Sequence, residues 1–287
     1  MMSGGFIRSG NTPTHTRCHR GLLYRQEIMR AQIAITRSGV TQASNGKTVP
    51  DGGALVRRTN GEFLISLHRK VSETALMQLM RTLRALDADF KMSLEAAGHQ
   101  TRNLTRQEVC LRLALRGLNI IERASEPLFM SNLELFDDSR PPPTLRSPNM
   151  MRLAGLRLAS KDVPTALLEA SAANITNLVS VDQNRSMRLY FLALPEELDW
   201  PPEVPSTGVP LDETWDSPFG RWLSVLYEAA FAIQQPLYQH GFLRVEGGTL
   251  RPFQRFVYPI TPPHDRPSNF RVLSTAEISD SPDLIII

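Results

Sequence analysis

Apolar positions recur along this chain with two periods, and the period assigns most of its elements. From Ser72 to about Ala97, Leu76, Leu79, Met80, Leu83, Leu86, Phe90 and Leu94 return at three- and four-residue steps. That spacing predicts one long helix, with Ser72 as its N-cap and Gly98 as its stop. Thr105-Arg106-Gln107-Glu108 then reads as a capping box, because the Thr hydroxyl and the Glu carboxylate can each satisfy the other's backbone N–H. The helix it opens runs to about Ala124 and places Cys110, Leu111, Ala114, Leu115, Leu118 and Ile121 on one face. Two such helices in succession predict an N-terminal helical hairpin that packs on the body or on a second subunit. Gly61–Leu67 reads as a short strand or an entry loop, and Leu128–Phe136 as a strand.

Beyond Arg140-Pro141-Pro142-Pro143 the pattern changes, and this stiff run is the best candidate for a domain boundary, with a proline-binding partner as its other reading. A short helix is expected from Asp162 to Ala170, and two strands over 174–181 and 187–194 around the turn Asp182–Arg185. Phe219 to Ile233 is an apolar helical segment. Three extended segments follow it, Pro236–Val245, Arg251–Ile260 and Asn269–Ile278, with Gly247-Gly248 as the first turn and a proline-rich bend as the second.

Strand, strand, helix and then three strands is an order that resembles the PAS domain family, and in particular short PAS-family proteins of alphaproteobacteria. The carrying residues are Gly208-Val209-Pro210-Leu211-Asp212-Glu213-Thr214-Trp215, Leu226–Ala230 with Gln235–Tyr238, Gly241–Arg244, and Phe253–Ile260. The resemblance covers the half of the chain from about Met150 onward. It implies an α+β fold: the helical hairpin, then a five-stranded antiparallel sheet with helices inserted between its second and third strands. It also implies a sensory or regulatory protein whose sheet face, with Trp222, Tyr238, Phe242, Phe256 and Tyr258, binds a small ligand or a protein partner. The family's small-residue segment after the second strand is replaced here by Phe191-Leu192-Ala193-Leu194-Pro195-Glu196-Glu197. No cysteine lies in this half, which speaks against a flavin-photoadduct sensor.

Charge adds a second reading. Residues 1–60 carry +7 of a chain whose net charge is +3, which leaves the remainder at −4. This arm is rich in Gly, Ser, Thr, Asn and Arg and is expected to be disordered. It fits equally a solvated tail, a transit peptide, or a start assigned ahead of Met29. With Arg102, Arg112, Arg116 and Arg123 gathered beside the apolar face of the second helix, the arm raises the alternative of a nucleic-acid-associated regulator. A structural subunit of a larger assembly is the third reading. The tail Leu284-Ile285-Ile286-Ile287 could pair with a sheet edge, in this molecule or in a partner, be captured as a C-terminal tail, or be read by a protease adaptor.

Candidate chemistry removes classes rather than adding them. The chain has no phosphate-binding Gly-rich loop, no His-Glu-x-x-His helix and no Gly-x-Ser-x-Gly elbow, so no enzyme activity is expected. His15, Cys18 and His19 lack a second cluster to complete a zinc site, and His240 stands alone as a haem ligand beside Tyr238 and Phe242. No cofactor or metal is expected. Two distant cysteines, Cys18 and Cys110, and the absence of any apolar run long enough for a membrane span point to a cytoplasmic protein, with a protein partner and a homodimer as its associations.

Overall fold

Among the described residues of the computed structural model, twelve strands in two six-stranded sheets and five helices stack as four layers. The structure describes residues 32–43, 48–59, 61–86, 90–125, 129–137, 139–143, 145, 147–158, 161, 163–175, 178–183, 189–193, 208–211, 218–244, 249–260 and 271–279.

The first sheet comprises β1 (Ile33–Thr36), β2 (Gly39–Gln42), β3 (Ala54–Thr59), β4 (Glu62–Leu67), β5 (Met92–Ala96) and β6 (His99–Leu104), in the order β2-β1-β3-β4-β5-β6. Its neighbours are antiparallel except β4 and β5, which run parallel and are joined by α1 (Glu73–Arg84). A parallel pair requires such a crossover. Helix α2 (Arg106–Ala124) follows β6. The second sheet comprises β7 (Phe129–Leu135), β8 (Leu178–Gln183), β9 (Leu189–Ala193), β10 (Leu237–Arg244), β11 (Leu250–Ile260) and β12 (Arg271–Ile278), all antiparallel in the order β7-β10-β11-β12-β8-β9. Helices α3 (Pro148–Gly155) and α4 (Val163–Ala172) lie between β7 and β8, and α5 (Pro218–Ile233) lies between β9 and β10.

The expected fold class is corrected by these sheets. No N-terminal helical hairpin forms, because a β-hairpin separates α1 from α2. Leu86, Phe90 and Leu94 fit a helix at four-residue steps, yet Phe90, Met92 and Leu94 fit a strand at two-residue steps. A spacing of four belongs to both periods, and pairing of β5 with β4 decided between them. Gly98 turns a strand rather than stopping a helix, since Ala97 and Gly98 both have positive φ, 51° and 81°, as a two-residue hairpin turn demands. Residues 33–59, expected in the arm, supply β1, β2 and β3, while residues 1–31 lie outside the described residues. The second sheet has six strands, not five. The sixth, β7, precedes the proline run and pairs with β10, so that run lies within the limits of one sheet.

Between the sheets, α1, α2 and α5 form an inner layer with a single continuous core. It joins Phe63, Ile65 and Met92 of the first sheet to Leu76, Leu113, Trp222 and Phe231 of the helices and to Phe253 and Val257 of the second sheet. Helix α5 buries 14 of its 16 residues, as an all-round apolar helix must when it has neighbours on every side. Gly117 of α2 lets it close on α5, since a Cβ there would stand 3.0 Å from Val225 Cγ1. On the far face of the second sheet, α3 and α4 cover a smaller core of Met150, Leu153, Leu158 and Ala166 over Tyr238, Phe256, Tyr258 and Leu273.

Candidate functional site

Open space flanks the α3 helix. Ser147 caps it, its hydroxyl accepting from the Met150 N–H at 3.2 Å, and Pro148 stands in the first turn, where a missing N–H costs nothing. Met150, Leu153 and Ala154 turn inward onto the sheet, and Met151 turns out, 58% exposed. After the C-cap Leu156 comes Arg157 with φ +48°, a left-handed position usually filled by glycine, where an arginine costs about 1 kcal/mol.

Two clefts flank this helix. The larger, ≈ 450 Å³, is lined by Phe136, the three prolines 141–143, Leu145, Met151, Ala154, Gly155 and Arg157. Its wall begins where β7 ends: the Asp137 carboxylate accepts from the Ser139 hydroxyl at 2.6 Å and the Ser139 N–H at 2.9 Å, and these bonds hold its pKa below the usual range. That turn delivers the prolines to the cleft, and the Leu145 N–H returns to the Pro142 carbonyl at 2.9 Å. Phe136 packs edge-on against Phe256, centroids 4.8 Å apart, tying the cleft floor to the outer core. The smaller cleft, ≈ 170 Å³, lies at the α3 N-terminus between Ser147, Pro148, Pro252, Gln254, Glu277, Ile278 and Ser279. Among the described residues that line it, the larger cleft is apolar, Arg157 is its one charged group, and none can act as a base or nucleophile. It can bind an apolar chain segment.

The residues expected to form a binding face are divided. Tyr238, Phe256 and Tyr258 are buried together under α3 and α4, as the floor of the outer core. Trp222 lies on the opposite side of the sheet, 5.8 Å from Phe219 and 5.5 Å from Phe253, with the Arg255 guanidinium 5.2 Å from its ring. Phe242 is half-buried near the end of β10. Trp222, Tyr238, Phe256 and Tyr258 are core, Phe242 is not, and neither cleft is lined by any of the five. Of the arginines, Arg112 and Arg123 are exposed on α2, Arg116 donates to the Arg69 carbonyl at 3.3 Å, and Arg102 lies on β6 with its guanidinium on Gln100 Oε1. Val109 and Leu113, which interrupt that stripe, are buried because α2 packs against both α1 and α5.

Sequence reasoning missed a charged junction in the inner layer. Glu228 of α5 is fully buried and accepts from Arg81 Nε of α1 at 2.8 Å. Burial raises its pKa, while Arg81 and Arg84 oppose the shift. One end of the same two helices is joined by Arg221 and Glu73 at 2.9 Å, with the charges exchanged. Arg106 donates to the Leu86 carbonyl at 2.8 Å and to Gln234 Oε1 at 3.1 Å, so it ties three helix ends together. Cys110 is fully buried beside it, and burial pushes its thiol up to about 12, which makes it inert as a nucleophile. This junction is sealed and structural. No sequence signal announces it, since Arg81 and Glu228, Glu73 and Arg221, and Arg106 and Gln234 each lie more than a hundred residues apart.

His240 is likewise buried, with its pKa lowered by burial and only Glu134, at 3.8 Å, opposing. Among the described residues no three His, Cys, Asp or Glu side chains group to hold a metal ion, and no helix is long and apolar enough to cross a membrane. Comparison with protein-family models, with curated proteins and with solved structures found no match.

Proposed function

We propose that this chain is a non-enzymatic regulatory protein that binds a protein partner through the larger cleft beside α3. The observation that carries the reading is the contrast between a filled interior and an apolar cleft left open on the outer layer. The resemblance to PAS-family regulators supports the regulatory part, with α5 inserted between the second and third strands of the series that begins at β8. A protein segment suits this cleft better than a small polar metabolite, because its described walls are proline, aliphatic and aromatic groups with Arg157.

The test is a photo-crosslinking residue at Met151 in the full chain, expressed in its own host. Gly155→Trp is the blocking variant, since a Cβ at Gly155 meets nothing within 4 Å and the ring can fill the cleft without disturbing the helix. A crosslinked polypeptide that disappears with Gly155→Trp and survives Arg112→Glu with Arg123→Glu is the expected result. Binding that survives Gly155→Trp but falls with the two arginine changes, and steeply with salt, would overturn it in favour of nucleic-acid association.

A further inference from the structure

We infer that the partner of the larger α3 cleft is an acidic amphipathic helix, with apolar side chains between the prolines and Met151 and a carboxylate on Arg157. This rests on the reading of that cleft as a partner site, and it names the chemistry that the partner brings.

The backbone of the cleft selects a helix. Pro141, Pro142 and Pro143 have no N–H to give. The other described lining residues have theirs in use. Phe136 donates to the Pro236 carbonyl at 2.9 Å, Leu145 to Pro142 at 2.9 Å, Met151 to Ser147 at 3.0 Å and Arg157 to Ala154 at 3.5 Å. Ala154 and Gly155 donate within α3. An extended segment laid here would find no donor among these residues for its carbonyls, and a buried carbonyl needs one. A helix carries its own hydrogen bonds and enters a groove by side chains alone, from positions i, i+3, i+4 and i+7. The stiff proline run is a wall that loses little freedom when the helix arrives.

Charge selects the sign. Arg157 lines the cleft, and Arg152 is exposed on α3 beside Met151. Neither guanidinium has a hydrogen-bond or ion-pair partner among the described residues. The acid at the other wall, Asp137, has Arg140 near it and is held by the Ser139 hydroxyl and N–H at 2.6 and 2.9 Å. Arg152 already places a cation in the last turn of α3, where the helix dipole favours one. Arg157 stands past that turn at φ +48°, where glycine is usual, so the helix end does not account for it. A partner carboxylate does.

Fluorescence anisotropy of the full chain against two labelled peptides of about 18 residues, or roughly five turns, tests this. Both carry leucines at i, i+3, i+4 and i+7 in an alanine and glutamine helix. Glutamates flank the stripe in one and lysines in the other. The glutamate peptide should bind about tenfold tighter, since an exposed ion pair contributes roughly two- to fivefold and the lysines add repulsion. Arg157→Gly suits the left-handed backbone, so it should leave the urea midpoint unchanged or higher while cutting that preference about threefold. Arg157→Lys should keep the preference. A proline at the centre of the glutamate peptide should weaken it about tenfold or more, and Gly155→Trp should abolish its binding.

Equal affinity for the two peptides, tighter binding of the lysine peptide, or no binding of either overturns the proposal. So does a proline-broken peptide that binds as well as the intact one. Glutamate-peptide binding that survives Gly155→Trp belongs elsewhere on this basic chain and overturns it too. In each of these cases the crosslink from position 151 judges the cleft separately. A host polypeptide still captured there, and lost with Gly155→Trp, leaves the cleft a partner site of other chemistry. If that crosslink is absent as well, both readings fall.

Discussion

The two faces of the second sheet are built from the same strands, yet they are covered in different ways. On one face α5 is buried on nearly every side, held between two sheets and two other helices, with Glu228 paired to Arg81 and Arg221 to Glu73. On the other, α3 buries three of its eight residues and α4 presents Leu168 at 71% exposure. The residues under α5 are Phe253, Arg255 and Val257; those under α3 are Phe256 and Tyr258, set by the alternation of one strand. A strand therefore serves a sealed layer and an open one at once. The sealed layer makes the fold, and the open one is where a binding surface fits.

The largest test of this contrast is in the sealed layer. Glu228→Ala leaves Arg81 beside an empty space in a buried layer and should cost about 3–5 kcal/mol in a urea titration. A cost below 1 kcal/mol would mean that the inner layer is no more tightly specified than the outer.

Next comes the buried thiol. The folded pKa of Cys110 is raised from 9.0 to about 12, so the stabilisation is whole below pH 9 and is lost as pH climbs towards 12. At pH 10.5 the wild type should have lost about 2 kcal/mol more than Cys110→Ala relative to pH 8. Equal alkaline losses in the two proteins would show that water reaches the layer.

A smaller effect belongs to the helix start. Thr105→Ala removes the hydroxyl that accepts from the Glu108 N–H at 3.2 Å and should cost about 1 kcal/mol. The smallest is on the open face: Met151→Asp should leave stability within about 0.5 kcal/mol while abolishing partner binding. Loss of both together would make α3 a part of the core rather than a surface.

Part of this division is legible in the residues. The capping box over Thr105 and Glu108 is formed as its pattern predicts, with the Glu108 carboxylate accepting from the Thr105 N–H at 2.7 Å. Helix α5 and the strands β10, β11 and β12 fall within two residues of their expected limits. The short strands β1, β2 and β3 were hidden because their apolar runs of three or fewer residues sit in a segment rich in Gly, Ser, Thr, Asn and Arg, and their pairing is the source of their order. The prolines at 141–143 looked like a linker, since stiffness is a local property and cleft-lining is not. The aromatic residues were visible as a set, but a period of two cannot say which face receives which helix.

By itself, then, the sequence determined the features whose energetics close within a few residues: the N-caps, the apolar period of α5, and the alternation of the last three strands. The tertiary structure alone decided that β5 is a strand, that β7 joins a sheet completed a hundred residues later, and that Glu228 meets Arg81 across 147 positions. It also decided that α3 lies on the less covered face of the second sheet. Caps and periods depend on neighbouring groups, which the residue order specifies directly. Burial and ion pairing depend on which distant surfaces meet, and that is set only when the layers close on one another.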